Sequence, residues 1–471
     1  LFLLIRVTYI IDKAPVAAQT SIDHQQVIGV TMKATGKGNP ALPAIRSALV
    51  NGLQQHAALL VGALSVGIVS FGYARLIDLG YARFQAFHAS HPLGSLTVVP
   101  CVAALVTWIT RSQFAGAEGS GIPQVIAAVQ SKDDRTSSRL LSLRVLAGKI
   151  AMSFLAALGG LTIGREGPTI QMGAALMLHA KSLFPRTRVT DQQLMLAGGA
   201  AGLAAAFNAP LAGFVFAIEQ LARRYDARTS VVIMAGVALA AMAGICLGGN
   251  HSSLPRVDSE FPFQQWVPAI LVCGLIAGLS GGALAWLFAN IPRWLPAPLG
   301  RLRAQRPVVF AALCGVVVSV AGLASGGASF GSGFGQAGAM LQGHSPPLIY
   351  SFAKAVSLGM SFVAGIPGGI FSPTLAIGAG LGSLAHCVFG GMPLPLLAIL
   401  SMGGFLAGVT RTPVMSFIAV AEMTGAYQLV VPLMATALIA SRLSRLFGDP
   451  LYQVLSARYR APIVRSGASR S

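Results

Sequence analysis

The chain has 471 residues, 54% of them apolar and 10% charged, with a mean hydropathy of +0.70 and 33 basic against 14 acidic side chains, a formal charge of +19. Soluble domains carry about 25% charged residues, so a soluble multidomain protein is excluded and the chain is read as residing in a bilayer. Nucleic-acid binding is set aside too, because Arg135 and Arg139, Arg223 and Arg224, Arg301 to Arg306, and Arg442 to Arg445 lie between or just beyond apolar stretches, as positive-inside loops do.

In chain order, residues 1–40 show little periodicity and read as an atypical arm with no function assigned; no signal peptide is evident. Stretches apolar enough to enter or cross a membrane follow: Ala57 to Leu76, Leu96 to Ile109, Val231 to Gly248, Val267 to Phe288, Val308 to Ala324 and Pro395 to Val409. Glycine clusters at Gly119/Gly121, Gly164/Gly167, Gly365/Gly368/Gly369 and Gly403/Gly404 are expected at segment starts. Non-helical backbone at membrane depth is tolerated only where it is buried or lines a cavity, so these clusters mark where helices break and face a shared site. Isolated glycines are assigned to close helix packing.

The segment Gly164-Arg165-Glu166-Gly167-Pro168 puts one carboxylate directly before Thr169 to Leu178, which reads as membrane helix. Its Gly and Pro fit a turn followed by a helix start. An acid there sits in the positive field of unpaired backbone N–H groups, which is an anion site. A carboxylate that occupies an anion site can be displaced by an anion or leave on protonation, and Glu166 is therefore a candidate gate.

The two halves repeat. Asn208-Ala209-Pro210-Leu211 leads to Glu219 as Arg411-Thr412-Pro413-Val414 leads to Glu422, both at an offset of 203 (413 − 210 and 422 − 219). Pro168 to Ala174 matches Pro373 to Ala379 at an offset of 205 (373 − 168). Repeated halves with Gly- and Pro-interrupted segments are the pattern of transport proteins. Glu166, Glu219 and Glu422 are the acids in apolar context; an intramembrane acid is a functional hypothesis by default. Glu219 and Glu422 occupy equivalent positions and suggest a structural role, hydrogen bonding to backbone, whereas the counterpart of Glu166 is Phe371. That asymmetry favours function at Glu166.

Other features have plainer readings. The five cysteines stand alone in apolar runs and read as small core residues. His179 and His386 read as packed histidines, Lys354 as pairing with backbone or snorkelling, and Tyr427 as a helix-end anchor. Gly327 to Gly331 fits a hydrolase elbow and Gly333 to Gly338 a dinucleotide fingerprint, but neither has the strand setting these motifs need, and both read as loop. An intramembrane enzyme is the distant alternative. No metal and no organic cofactor are expected.

Taken together, Gly119-Ser120-Gly121-Ile122-Pro123, Gly164 to Pro168, Gly369-Ile370-Phe371-Ser372-Pro373 and Asp449-Pro450-Leu451-Tyr452 resemble the motifs of the CLC chloride channel and transporter family, in order and spacing, from about Pro40 to Tyr452. The resemblance implies an all-α, multi-pass integral membrane protein of two inverted repeats with broken and re-entrant helices. It implies a membrane domain over 41–455, with halves at about 41–230 and 265–455, and a short basic tail over 456–471. The nineteen residues after Tyr452 (471 − 452) are too few for the family's paired cytoplasmic regulatory domains. It further implies a homodimer in the lipid bilayer, at the plasma (inner) membrane of a bacterium, with one anion pathway per subunit. The Ser120 and Tyr452 hydroxyls and the N–H groups of Ile370 and Phe371 would line that pathway; Arg165, Glu166 and Gly167 would frame its outer site. Gly119, Gly121, Pro123, Gly164 and Pro168 would support the turns, and Lys149 would be the family's buried lysine. Neutral donors hold an anion without the grip of a fixed cation, so the ion can leave. Ser in the first motif goes with chloride in this family.

Two positions depart from the family's proton-coupled exchangers. The internal proton glutamate is Gln220, and a further acid three residues after the first motif's proline is Ile126. An amide does not accept and release a proton at ordinary pH. The expected activity is chloride transport, channel-like or weakly proton-coupled; the alternative is a chloride/proton antiporter with another internal proton route.

Overall fold

A computed structural model describes residues 41–131, 134–185, 187–224, 226–250, 252–257 and 261–460, without the side chains of 41–55 and 134–135. The expected arm over 1–40 lies outside the described residues, as do 461–471 of the expected tail. Residues 456–460 are not a tail: they close a helix that begins at Leu451, and Ser456 is buried.

The first half contains α1 (Ala41–Ser90), α2 (Ser95–Gln113), α3 (Ile122–Gln130), α4 (Leu143–Leu158), α5 (Glu166–Leu183), α6 (Asp191–Phe207), α7 (Pro210–Phe216) and α8 (Ala227–Gly248). The second contains α9 (Phe263–Ala289), α10 (Ala297–Gln305), α11 (Pro307–Ala324), α12 (Phe334–Leu341), α13 (Tyr350–Ala364), α14 (Phe371–Phe389), α15 (Leu394–Thr410), α16 (Pro413–Thr424), α17 (Val430–Ser444) and α18 (Leu451–Arg460). Among the described residues, eight helical segments are long and apolar enough to cross a membrane. By contrast α3 and α12, of 9 and 8 residues, and the helix Pro210–Ala222 that α7 opens fall short of the ~20 residues a span needs.

The repeat extends beyond the sequence matches. Helix starts recur at Glu166 and Phe371 (371 − 166 = 205), at Pro210 and Pro413 (203), and at Ile122 and Phe334 (334 − 122 = 212). Contacts between equivalent positions are reciprocal. Gly164 and Gly369 exchange N–H···O bonds of 2.7 and 2.6 Å in an antiparallel bridge. Gly119 donates to Gly365 at 3.4 Å, and Gly331 to Gly160 at 3.3 Å. Such reciprocity is the mark of a two-fold axis. The equivalent helices α2 and α11 decide its direction. A Cβ on Gly315 would lie 2.6 Å from Pro100, and the Ser319 hydroxyl donates to the Ser95 carbonyl at 2.8 Å, so residue numbers rise along one helix as they fall along the other. Equivalent spans packed antiparallel make the halves inverted.

Glu219 and Glu422 carry the symmetry in side chains. The Glu219 carboxylate accepts from Val414 and Met415 N–H at 3.2 and 2.8 Å, and Glu422 accepts from Leu211 and Ala212 at 3.1 and 2.8 Å. Each acid thus satisfies the open N–H groups at the start of the other half's short helix. One expectation fails: Gly403 and Gly404 lie in the middle of α15, not at a segment start. A Cβ on Gly404 would meet Thr436 at 3.0 Å and Ala277 at 3.1 Å, so the pair serves close helix packing.

Candidate functional site

The Gly164–Gly369 bridge sets the starts of α5 and α14 against each other. Glu166 is the first residue of α5 and fully buried. Its carboxylate is received by the other half: the Ser372 hydroxyl donates to one oxygen and the Ser372 N–H to the other, at 3.3 Å. The acid thus does sit at a helix start, but at the N-terminus of α14 and not at that of its own helix. Ile370 caps α14 and Phe371 opens it, so their N–H groups belong to the first turn and have no intrahelical partner.

The start of α3 joins them. Gly121 has φ +99, and a Cβ there would sit 2.7 Å from the Gly167 carbonyl. A Cβ on Gly167 would in turn run into the Ser120 carbonyl and hydroxyl oxygens. Both positions demand glycine, one for backbone conformation and the other for close approach. Three helix N-termini meet around Ser120, Glu166 and Phe371, with Pro123 and Pro168 in first turns where proline is tolerated.

Ser120 is 3% exposed and Tyr452 is fully buried. Their hydroxyls approach each other without reaching hydrogen-bond geometry, and neither has another partner among the described residues. An unpaired buried polar group costs about 1–3 kcal/mol, so two such donors side by side mark a place built for an acceptor. The Tyr452 ring lies 6.2 Å from that of Phe371, which Phe207 and Phe216 hold at 6.5 and 6.0 Å. The site is thus walled by aromatic rings and lined by neutral donors.

Arg165 stands beside this cluster with its guanidinium turned outward. It pairs with Asp78 at 2.9 Å and lies 5.3 Å over the Phe334 ring. A cavity of about 270 Å³ opens there, lined by Arg75, Asp78, Arg165, Asn208 and Ser253. Lys149 is fully buried and donates to the carbonyls of Gly119 at 2.9 Å and Glu118 at 3.4 Å; it braces the loop that carries Ser120. Gln220 is not brought to Glu166. It is buried in a π-helical turn, Ala217–Ala222, which packs against α3, and its amide nitrogen has no partner among the described residues. Ile126 is buried in α3.

Sequence reasoning missed Ser372 and Asp78. Ser372 had a signal, a hydroxyl residue in the first turn of a helix that opens at a glycine-rich motif. Asp78 had none, since its partner is 87 positions away (165 − 78). His179 and His386 turn Nδ1 toward the carbonyls of Ala175 and Met392, at 3.0 and 2.7 Å. Ser329 lies in a loop with its hydroxyl 3.3 Å from that of Ser357.

A family model described as voltage gated chloride channel matches residues 101–445. The chain is 31% identical over 373 residues to the H(+)/Cl(-) exchange transporter ClcA of Cronobacter sakazakii (strain ATCC BAA-894), covering 75% of this chain and 78% of that one. Its fold is similar to that of a slow cyanobacterial Cl-/H+ antiporter, with TM-score 0.74 and 24% identity over 86% of this chain and 97% of the other. It is also similar to a CLC-type fluoride/proton antiporter, with TM-score 0.72 and 21% identity over 85% and 97%. The chain is a multi-pass integral membrane protein and belongs to the voltage-gated chloride channel (CLC) family.

Proposed function

We propose that this protein moves chloride through a pathway gated by Glu166, channel-like or only weakly coupled to protons. The observation that carries the reading is the position of the Glu166 carboxylate, a buried anion held at the N-terminus of α14 beside two unpartnered hydroxyls. A chloride ion competes for the same N–H donors, and protonation removes the charge that holds the side chain there. Ser120 and Tyr452 then offer O–H donors and Ile370 and Phe371 N–H donors, while Arg165 and Gly167 border the outer side. Gln220 offers no proton acceptor on the internal side.

A homodimer is part of the reading. The short helices α7 and α16 leave Leu211 and Val414 exposed, next to Glu219 and Glu422. Carboxylates facing lipid are costly, and a second copy covering this face removes that cost.

One observation favours a second reading, proton-coupled exchange. Tyr73 donates to Ser153 at 2.8 Å, and Ser153 donates to the Lys149 carbonyl; all three are buried. Tyr73 stands within electrostatic range of Glu166, so polar groups extend from the gate toward Glu118 without Gln220.

The test is purified protein in liposomes with a chloride gradient, recording chloride efflux and external pH together. Efflux without uphill proton movement supports the first reading; proton pumping at a fixed ratio replaces it with the second. Glu166→Gln is expected to leave chloride flux independent of pH within about twofold, because the titrating group is gone. Loss of all flux from a folded Glu166→Gln protein would show that Glu166 is not the gate.

A further inference from the structure

Beside the loop that carries Ser120, three guanidinium groups gather between the end of α2 and α10. Arg111 and Arg303 both line two adjoining cavities of about 420 and 400 Å³. Arg458 lies near Arg303 and donates to the Ala289 carbonyl at 2.8 Å. Arg303 donates through Nε to the Val363 carbonyl at 3.0 Å. Among the described residues neither Arg111 nor Arg303 forms an ion pair. The acid in the cavity wall, Glu118, accepts instead from the Gly116 N–H at 2.7 Å.

The walls are mixed. One cavity is bordered by Thr107 and Thr110, which are 4% and 2% exposed and whose hydroxyls have no partner among the described residues. The other has an apolar wall of Ile291, Pro292 and Leu295. Outside it, α2 presents Cys101, Leu105 and Trp108 to the surroundings; Cys101, like Cys246 and Cys387, is exposed and not the core residue expected of it, whereas Cys273 and Cys314 are buried. Cys101, Leu105 and Trp108 stand at i, i+4 and i+7, one helix face, and Arg111 follows one turn on. An apolar stripe ending in Trp and then Arg is what a helix shows where it leaves the hydrocarbon for the headgroup layer.

We propose that this cavity holds the phosphate group of an anionic membrane lipid between Arg111 and Arg303, with the lipid's chains lying along Cys101, Leu105 and Trp108. Arginine forks match phosphate oxygens in paired, charge-assisted hydrogen bonds. Burial pushes the Arg303 guanidinium down from its ordinary value, and the charges of Arg458 and Arg111 push the same way; a bound anion relieves both. The basic face also carries Arg301 and Arg306 on or beside α10, so the positive-inside rule makes it cytoplasmic.

The experiment is native mass spectrometry of the full-length protein in detergent, titrated with phosphatidylglycerol or phosphatidylcholine, with and without inorganic phosphate. Retention of phosphatidylglycerol over phosphatidylcholine by tenfold or more is expected, falling by about tenfold in Arg111→Gln and further in Arg111→Glu, as the loss of one charged clamp requires. Arg111 is exposed, so these variants are expected to fold, and unchanged chloride efflux and melting would confirm it. Equal retention of both lipids overturns the proposal, and so does undiminished retention in Arg111→Glu. If inorganic phosphate binds at this site and phosphatidylglycerol does not, the ligand is a soluble phosphate and the lipid assignment is wrong. Lipid retention is read without any chloride movement, so this result stands or falls separately from the gate.

Discussion

The loops that open α3 and α12 are the same device put to two uses. Gly119-Ser120-Gly121 and Gly331-Ser332-Gly333 are related by the repeat (331 − 119 = 212), and each rests on a buried lysine one helix further on, Lys149 or Lys354 (354 − 149 = 205). In the second half everything is committed. Lys354 donates to three carbonyls, of Ser329, Phe330 and Gly331, at 3.0, 3.2 and 2.6 Å, and the Ser332 hydroxyl accepts from the Phe334 N–H at 3.4 Å. In the first half Lys149 reaches two carbonyls, and the Ser120 hydroxyl is left without a partner among the described residues. The same backbone frame therefore yields a closed structural loop on one side and an open donor on the other. Asymmetric satisfaction of hydrogen bonds, not different folding, separates the scaffold loop from the candidate site.

The comparison can be broken most forcefully at the lysines. Lys354→Met strands two buried carbonyls, of Phe330 and Gly331, since Ser329 keeps the Thr162 hydroxyl as donor, and is expected to cost about 3 kcal/mol. Lys149→Met costs less, because the Glu118 and Gly119 carbonyls keep the Gln124 amide and the Gly368 N–H as donors; thermal unfolding in detergent reads both. A larger loss from Lys149→Met would mean that the second loop is not the locked one. Next, Ser120→Ala is expected to weaken chloride binding by about tenfold, one hydrogen bond to an anion, whereas Ser332→Ala leaves it unchanged. Calorimetric titration with chloride separates the two, and equal effects would undo the distinction between site and scaffold. Third, Glu219→Gln and Glu422→Gln should each destabilise by about 1 kcal/mol, as weakened helix-start acceptors do; clearly unequal shifts in melting temperature would show that the reciprocal caps are not equivalent.

The smallest effect concerns Asp226, which caps α8, while the equivalent Leu429 (429 − 226 = 203) gives α17 no side-chain cap. Hydrogen bonds from the Thr229 hydroxyl and N–H hold the Asp226 carboxyl below its usual range. A depressed folded value means that its stabilisation is present above the unfolded carboxyl pKa, about 3.9, and is lost as pH falls through the lower folded one. Asp226→Asn should therefore flatten the acid limb of the melting-temperature profile, with Leu429→Asn leaving that limb as it was.

Much of this was legible in the chain. The low charge content placed it in a bilayer, the 203 and 205 offsets exposed the repeat, and Glu166 stood out because its counterpart is Phe371. The repeat partner of Ser120, Ser332, is not legible, since it lies between Gly327–Gly331 and Gly333–Gly338, which read as loop. The first half has seven more residues between these elements, since α3 and α5 start 44 positions apart (166 − 122) and α12 and α14 only 37 (371 − 334). A search at one fixed offset passes over Ser332.

What the sequence determined by itself was local and compositional: which segments are apolar, where glycine and proline break them, and where an acid meets a helix start. These follow from solvation and backbone sterics, which act on neighbours in the chain. Tertiary structure alone decided which helix start receives Glu166, that Asp78 holds Arg165, that Glu219 and Glu422 exchange caps, and that Ser120 keeps a free hydroxyl. The contacts of Glu166, Glu219 and Glu422 join groups 196 to 210 positions apart, carried together by the two-fold packing of the halves, while Asp78 and Arg165, 87 positions apart, meet within the first half. A hydrogen bond is satisfied or not only in three dimensions, where partners compete within about 3 Å.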